Sequence, residues 1–346
     1  MIPIFKARNQ LIKEAIEAKH VAALASGIKQ KLKAFKDSYV ASDESVKQYL
    51  EYIWSFSVEE ILTMDIFRMR EVIKKVNYLM PSTCFYRQKN PKGSGLEFKK
   101  VNNQLANIFD YIEFSKEKSN WCLGQLALEL QKEIQICPYC NAETVYAYKV
   151  SKGSRTQYVI RKSSFDHFFP KTRYPFLSVS LYNLIPACPR CNTGFKGERF
   201  QGLSCMLHPY ADSENFHAGM KFRVLFKTLK GFERCASDDI DQVLLTERKD
   251  NERCEGGIIW EEMFRLGETY SAVYKESVAD ILVKFLQYPK SYVDMLRASL
   301  CRIGVSLSRL ERLVYGSTPN ADDINHNRLS KVAIDMYDTY RKEQEE

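Results

Sequence analysis

The chain has 346 residues, of which 45% are hydrophobic and 12% aromatic, and its formal net charge is +8. This composition can fill the cores of two or three domains, which excludes a largely disordered protein. The sequence has no apolar run long enough to cross a bilayer, and its first residues lack the apolar core of a secretory signal, so we expect a cytoplasmic protein.

Residues 1–133 have the pattern of a helical region. Ser42-Asp43 can cap a helix start, and Ser57-Val-Glu-Glu60 has the form of a capping box. The apolar stripe from Ile61 to Ile73 predicts one helix, which ends at Pro81. Residues 90–95 predict a loop, and further helices are expected after it.

The centre of the chain changes to strand-like sequence. Residues 144–150 and 157–162 are rich in Val, Tyr and Ile and predict a β-hairpin. Residues 222–226 predict a strand that pairs with residues 243–245. Helical periodicity returns at Trp260, with one helix predicted through Tyr270 and Ile281 as far as Pro289 and two more over 292–303 and 329–340. We therefore expect an α+β protein, mostly helical, with three domains: 1–133, 134–256 and 257–346.

Four of the ten cysteines form two CxxC pairs, Cys137-Pro-Tyr-Cys140 and Cys188-Pro-Arg-Cys191. Two such pairs can close a tetrahedral four-thiolate zinc site, which has a structural role because no coordination position stays open for water. A thiol oxidoreductase is the alternative, but it normally needs only one CxxC pair, placed before a helix. The spacing favours zinc.

An adjacent carboxylate and imidazole, Asp166-His167, lie between the two cysteine pairs. A carboxylate suits Mg²⁺, and a neutral imidazole can take a proton from water near neutral pH. Adjacent side chains on a strand point to opposite faces, so the chain must bend here if both are to serve one site. Asn183, Asn192 and Lys196-Gly197 follow at short range.

The positive charge is concentrated around these motifs. Residues 141–200 contain ten basic and three acidic residues, which leaves +7 in this segment. Such a cluster suits a polyanionic partner, although a solvated surface is the common alternative. The candidate phosphate-binding residues are Lys171, Arg173, Arg190 and Lys196. His208 is interpreted as a structural histidine at a turn.

The segments CPYC, FDHFFPK, LYNLIPACPRCN and FKG stand in order over residues 137–197 and resemble the HNH nucleases, whose active site is the ββα-metal fold. The resemblance implies a zinc-stabilised nuclease core and one-metal hydrolysis of nucleic-acid phosphodiesters with Mg²⁺ or Mn²⁺. Asp166 would bind the metal, His167 would be the general base, Asn183 would orient the imidazole and Asn192 would be the second metal ligand. DNA is favoured over RNA as the substrate.

A weaker resemblance connects FDHFFPK and the following YPFLS and YNLIP segments to the HNH subunits of Septu-type anti-phage systems, some of which are joined to retrons. It implies an antiviral defence role beside an ABC-type ATPase. The alternative is a non-catalytic zinc module that binds nucleic acid, which has no need of Asp166, His167 and Asn192. The helical start carries no motif of the nuclease core; docking of a partner is one hypothesis for it, and a helical domain that only packs against the core is the other.

Overall fold

The computed structural model of the protein describes residues 3–5, 9–80, 94–116, 120–152, 156–161, 164–197, 205–248, 254–300 and 304–340. Within these ranges the chain is mostly helical, and its strands form three separate two-stranded antiparallel sheets. This arrangement confirms the predicted α+β class. The domain boundaries stay a prediction, and one hydrophobic cluster includes residues from Ile4 to Met336.

Seven helices form the N-terminal part of the described chain. They are α1 (Gln10–Ser38), α2 (Glu44–Trp54), α3 (Val58–Thr63), α4 (Ile66–Leu79), α5 (Ser94–Ile108), α6 (Tyr111–Ser115) and α7 (Leu123–Leu130). Both predicted helix starts are confirmed. The Asp43 carboxylate accepts from the first amides of α2, and Ser57 and Glu60 form the reciprocal capping box of α3. These caps satisfy amides that have no partner inside the helix.

The prediction of one helix from Ile61 to Pro81 was wrong, because the helix is interrupted between α3 and α4. The Asp65 carboxylate accepts from the Arg68 amide and starts a new helix at Ile66. An aspartate that bonds the backbone ahead of it competes with helix continuation. The predicted loop at 90–95 ends sooner than expected, since α5 begins at Ser94, and residues 90–93 lie outside the described residues.

The central part contains two antiparallel strand pairs that follow each other in the chain. Strands β1 (Ala147–Lys152) and β2 (Thr156–Arg161) form the predicted hairpin, shifted from its predicted limits, with its tip outside the described residues. Strands β3 (Ser164–His167) and β4 (Leu184–Ala187) pair next, with Asp166 opposite Ile185 and His167 opposite Leu184. A seven-residue π-helix, Arg190–Lys196, follows β4.

The third strand pair and the remaining helices form the C-terminal part. The predicted pairing of residues 222–226 with 243–245 is confirmed by β5 (Met220–Phe226) and β6 (Ile240–Glu247), with Val224 opposite Val243. The helices are α8 (Ser213–Gly219), α9 (Leu229–Arg234), α10 (Glu255–Phe264), α11 (Leu266–Val273), α12 (Lys275–Gln287), α13 (Lys290–Leu300), α14 (Leu307–Tyr315) and α15 (Ser330–Tyr340). The single helix predicted through Tyr270 and Ile281 was wrong, because the backbone leaves helical geometry at Tyr274, between α11 and α12.

The N-terminal helices pack directly on the loop between β3 and β4. Ser178 donates its hydroxyl hydrogen to the Phe109 carbonyl, and Ser180 does the same to Ile61. The Tyr182 hydroxyl donates to the Glu17 carboxylate on α1. These bonds satisfy polar groups that are buried between the helical region and the central segment, so the two parts share one interface. Among the described helices, none is long and apolar enough to cross a membrane.

A buried ion pair ties α15 to β5. The Lys331 ammonium contacts both oxygens of Asp335, at 2.6 and 2.7 Å, and donates to the Met220 carbonyl. The Asp335 carboxylate also accepts from the Phe222 amide and from Arg248. Asp335 and Lys331 are 0% and 1% exposed, so the loss of one charge leaves the other without solvation.

We therefore expect Asp335→Ala to lower the free energy of unfolding by about 3–5 kcal/mol. Chemical denaturation of the purified variant measures this change. The matched control is Asp241→Ala, at an exposed position of β6, which should change stability by less than about 0.5 kcal/mol. Equal effects of the two substitutions would contradict a structural role for the Asp335 network.

Candidate metal centre and active site

The four cysteines of the two CxxC pairs converge on one point. Their sulfur atoms all lie within 4.8 Å of one another, and all four residues are buried. The Sγ atoms of Cys140 and Cys188, one from each pair, are 4.0 Å apart. Four converging thiolates are the donor set that zinc accepts at tetrahedral angles, so these residues fit a structural zinc ion.

Local turn geometry aims the first cysteine pair at this point. The Asn141 amide donates to the Cys137 carbonyl at 2.9 Å, and Asn141 itself has a φ of 54°, a left-handed conformation that asparagine tolerates. Helix residues from the C-terminal part fix the turn. The Tyr270 hydroxyl donates to the Cys140 carbonyl at 2.8 Å, and Asn141 Oδ1 accepts from the Lys331 amide at 2.7 Å.

Arg190, one of the predicted phosphate-binding residues, lies beside the cysteine cluster. Its guanidinium lies 5.4 Å from the ring centroid of Tyr274 and is partly buried. Burial opposes the charge, but the neighbouring Cys140 sulfur holds the pKa of Arg190 above its ordinary value. A four-thiolate zinc site carries excess negative charge, which this cation is placed to offset.

The Asp166 carboxylate lies in a buried network with Tyr139 and Lys196. The Tyr139 hydroxyl donates to Oδ2, and the Lys196 ammonium lies 3.0 Å from Oδ1. Lys196 also donates to the His167 carbonyl at 2.7 Å. Asp166 and Lys196 are 2% and 1% exposed. Since Tyr139 belongs to the first CxxC pair and Lys196 ends the π-helix after the second, Asp166 connects both cysteine turns to β3.

The His167 imidazole lies among a different set of partners. Its ring packs edge-on against Tyr111 of α6, with centroids 4.5 Å apart, and Nε2 lies 2.9 Å from the Ser178 carbonyl. A carbonyl only accepts, so Nε2 carries the proton and Nδ1 holds the lone pair. Burial, followed by the charge of Lys171, lowers the pKa of His167 to about 3, which keeps the imidazole neutral near pH 7.

The partner of the imidazole differs from the predicted one. Asn183, which was expected to orient His167, instead binds the backbone on both sides of the β3–β4 loop. Its Oδ1 accepts from the Phe169 amide at 2.8 Å, and its Nδ2 donates to the Leu177 carbonyl at 2.9 Å. Asn183 therefore holds the loop that carries Ser178, and the Ser178 carbonyl contacts the ring. Sequence spacing gave no signal for Ser178 or Tyr111.

Asn192, the predicted second metal ligand, contacts β3, the strand that carries Asp166, but it does not contact Asp166 itself. Its amide nitrogen donates to the Ser164 hydroxyl at 2.7 Å. Ser164 and Asp166 are two positions apart on β3, so they share a face and their side chains are separated by about 7 Å. Strand β3 remains paired with β4 through His167, so the bend that a site shared by Asp166 and His167 would require does not lie within the strand.

These contacts test whether the residues fit a magnesium ion. Mg²⁺ needs oxygen ligands that are open to it, usually with bound water. In this arrangement Tyr139 and the Lys196 ammonium each hold one Asp166 oxygen, and the Asn192 amide is bonded to Ser164. The Asp166 site therefore does not fit a divalent cation as long as the Lys196 ammonium remains at the carboxylate.

The other two predicted phosphate-binding residues are also engaged with the N-terminal helices. The Lys171 ammonium lies 4.1 Å from the ring centroid of Tyr111, and Arg173 donates to the side chain of Asn77 on α4. His208 is fully buried, with its ring 4.1 Å from that of Phe168, and its Nδ1 accepts from the Tyr210 amide, as expected of a structural histidine.

Comparison with known proteins gives partial similarity. A stretch of 72 residues is 36% identical to protein ea31 of Escherichia phage lambda and covers 19% of this chain and 24% of that protein. A stretch of 67 residues is 39% identical to Septu protein PtuB of Bacillus thuringiensis and covers 19% of this chain and 26% of that protein. The similarity thus spans only about a quarter of either relative. No protein-family model and no solved structure matches the chain.

We expect about one tightly held zinc ion per purified chain. Cys188→Ser should lose this zinc and lower the melting temperature, because three thiolates cannot complete the tetrahedron. Elemental analysis and thermal melting with and without a chelator measure both effects. Cys235→Ser, at a buried cysteine outside the cluster, is the matched control and should retain its zinc. Zinc-free wild-type protein with an unchanged melting temperature would refute the assignment.

Proposed function

We propose that the protein is a metal-dependent endonuclease of the HNH type that hydrolyses nucleic-acid phosphodiester bonds, with DNA favoured over RNA as the substrate. The observation that carries the proposal is the order of elements at the cysteine cluster. An antiparallel strand pair, β3–β4, leads directly into a short helix; one cysteine pair lies at the junction of β4 and this helix, and the other precedes the β1–β2 hairpin. Asp166, His167 and Asn192 all belong to these elements, in the order that the HNH resemblance implies.

In this proposal His167 is the general base. Its neutral ring, with the proton on Nε2 and the lone pair on Nδ1, has the form that accepts a proton from an attacking water. The lowered pKa of His167 makes it a weak base in this arrangement, so the proposal requires a change in its surroundings that raises this pKa toward neutrality. The Ser178 carbonyl fixes the tautomer and stabilises the imidazolium that forms after proton transfer. Asn183 supports this step through the loop that presents Ser178.

The proposal includes a catalytic Mg²⁺ or Mn²⁺ ion, but only if Lys196 moves away from Asp166. Asp166 becomes available as a ligand only if the Lys196 ammonium leaves its carboxylate, because two cations at one oxygen repel each other. Lys196 ends a π-helix and is followed by Gly197 at a φ of 52°, a left-handed conformation suited to glycine. We infer that a shift of this helix end would open the carboxylate.

The biological role that we propose is that of the nuclease effector in a bacterial anti-phage defence system. Partial similarity to Septu protein PtuB supports this role. An ABC-type ATPase partner and a cytoplasmic location are parts of the same proposal. Copurification with the products of neighbouring genes tests the partner, and no association with an ATPase would remove this part of the proposal.

A non-catalytic zinc module that binds nucleic acid is the second candidate. The buried pair of Asp166 and Lys196 favours it, because this pair gives the aspartate a structural task that needs no second metal. Cleavage and metal-binding measurements on substituted proteins separate the two candidates.

We expect the zinc-loaded wild-type protein to nick plasmid DNA in the presence of magnesium. His167→Ala should lower the cleavage rate by roughly 100-fold or more, as the loss of a general base does. The matched control is His326→Ala, at a histidine for which the sequence indicates no role, and it should cleave at the wild-type rate. Zinc content of both variants shows that the fold is retained. Full activity of His167→Ala would exclude this residue as the base.

A second prediction concerns Lys196→Met, which leaves Asp166 buried without its cation. We expect the unfolding free energy to fall by about 3–5 kcal/mol, since one partner of a buried pair is lost. Mn²⁺ should raise the melting temperature of this variant more than that of the wild type, because the competing ammonium is absent.

The double variant Asp166→Asn, Lys196→Met is the control for this measurement. It should show a smaller Mn²⁺ response than Lys196→Met, since the anionic ligand has been removed. The same Mn²⁺ response in all three proteins would mean that Asp166 is not a metal ligand and would favour the binding module.

A further inference from the structure

The β1–β2 hairpin carries a concentration of positive charge that the candidate site does not use. Residues 146–164 contain five basic residues and no acidic residue, namely Lys149, Lys152, Arg155, Arg161 and Lys162. By contrast, the cations predicted to bind phosphate are held by protein groups. Lys196 is paired with Asp166, Arg190 lies beside the cysteines and Lys171 lies on Tyr111. The hairpin offers further positive charge, and Lys149 on β1 is exposed to solvent.

Two exposed tyrosines stand at the base of this hairpin. Tyr146 and Tyr148 are 41% and 46% exposed, and their ring centroids are 6.0 Å apart with an angle of 33° between the ring planes. Being two residues apart in extended chain, they face the same side. Ala147, on the other side, is buried, and its amide donates to the Gln131 side chain after α7. The tyrosines are thus presented to solvent at the base of the ribbon, where Ala147 anchors it to the segment after α7.

We propose that the base of the β1–β2 hairpin binds a single-stranded segment of nucleic acid, with bases stacking on Tyr146 and Tyr148 and a phosphate contacting the exposed Lys149. Aromatic side chains next to a basic track are the usual means of binding single strands, because every base has a face that can stack. A duplex does not offer those faces, since its bases stack on each other. The proposal deepens the proposed function by specifying the substrate form.

The hairpin is placed to guide a strand toward the candidate active site. β2 ends at Arg161 and β3, which carries Asp166 and His167, begins at Ser164. At the base of the ribbon, Tyr146 and Pro186 line the same small crevice, and Pro186 is paired with Phe165 in the β3–β4 ladder. A base stacked on the tyrosines would therefore lie beside the strand pair of the candidate site.

Fluorescence anisotropy with a labelled single-stranded oligonucleotide, without added magnesium, tests this inference on the full zinc-loaded chain. Tyr146→Ala and Tyr148→Ala should each weaken binding by roughly fivefold or more, the loss expected for one stacked base. Tyr148→Phe should bind as the wild type does, since the ring is kept. Tyr148→Trp should bind at least as tightly, a result that misfolding cannot produce. Lys149→Gln should reduce the dependence of binding on salt.

Tyr292→Ala is the matched control, because Tyr292 is 37% exposed and stacks on Tyr288 at 5.4 Å in a different part of the chain. It should leave binding unchanged. The inference is overturned if both hairpin alanine variants bind the oligonucleotide like the wild type, if Tyr292→Ala loses as much affinity, or if duplex DNA depends on the tyrosines as strongly as the single strand does.

Cleavage is measured separately with magnesium, so the two proposals can fail independently. Tyrosine-dependent binding without any cleavage would retain the hairpin site and refute the nuclease. Magnesium-dependent cleavage that is unaffected by the tyrosine substitutions would retain the nuclease and refute the hairpin site.

Discussion

The convergence of four buried cysteine sulfurs is the constraint on which the central part of this protein depends. Each short strand pair would be marginal alone, because two strands bury too little apolar surface to stay folded. The cysteine cluster joins the turn before the β1–β2 hairpin to the start of the π-helix after β4, and so limits where β3 and β4 can lie. Tyr139 and Tyr270 connect the first cysteine turn to α10 and α11, which extends the constraint into the C-terminal helices.

Asp166 shows how structural and catalytic demands meet at one carboxylate. A buried aspartate needs a cation or several donors, and here it has Lys196 and Tyr139. A metal ion could also neutralise this carboxylate, so the Lys196 ammonium and a metal ion would compete for Asp166. This competition would let the protein remain folded without a second metal. The proposed nuclease activity therefore depends on the energy needed to move Lys196 as much as on the identity of the ligands.

The helical N-terminal region takes part in the candidate site and is more than an attached module. α6 supplies Tyr111, which covers the His167 ring and also contacts the Lys171 ammonium. Carbonyl groups of Phe109 and Ile61 accept from serines of the β3–β4 loop, which presents the Ser178 carbonyl to the imidazole. Anything that shifts these helices would change the surroundings of His167. A partner that binds the helical region thus has a direct physical route to the proposed base.

The sequence by itself determined the features that depend on near neighbours or on residue chemistry. The caps at Asp43 and Ser57, the β5–β6 pair and the convergence of the cysteines all follow from short patterns or from the thiolate preference of zinc. The helix breaks at Asp65 and Tyr274 were missed. The sequence also gave no sign that the predicted phosphate-binding lysines and arginines contact groups of the protein itself. Only the tertiary structure decided that Lys196 pairs with Asp166 and that the Ser178 carbonyl contacts His167. These contacts depend on burial and on groups that the fold brings together, and local spacing does not distinguish them from other possible partners.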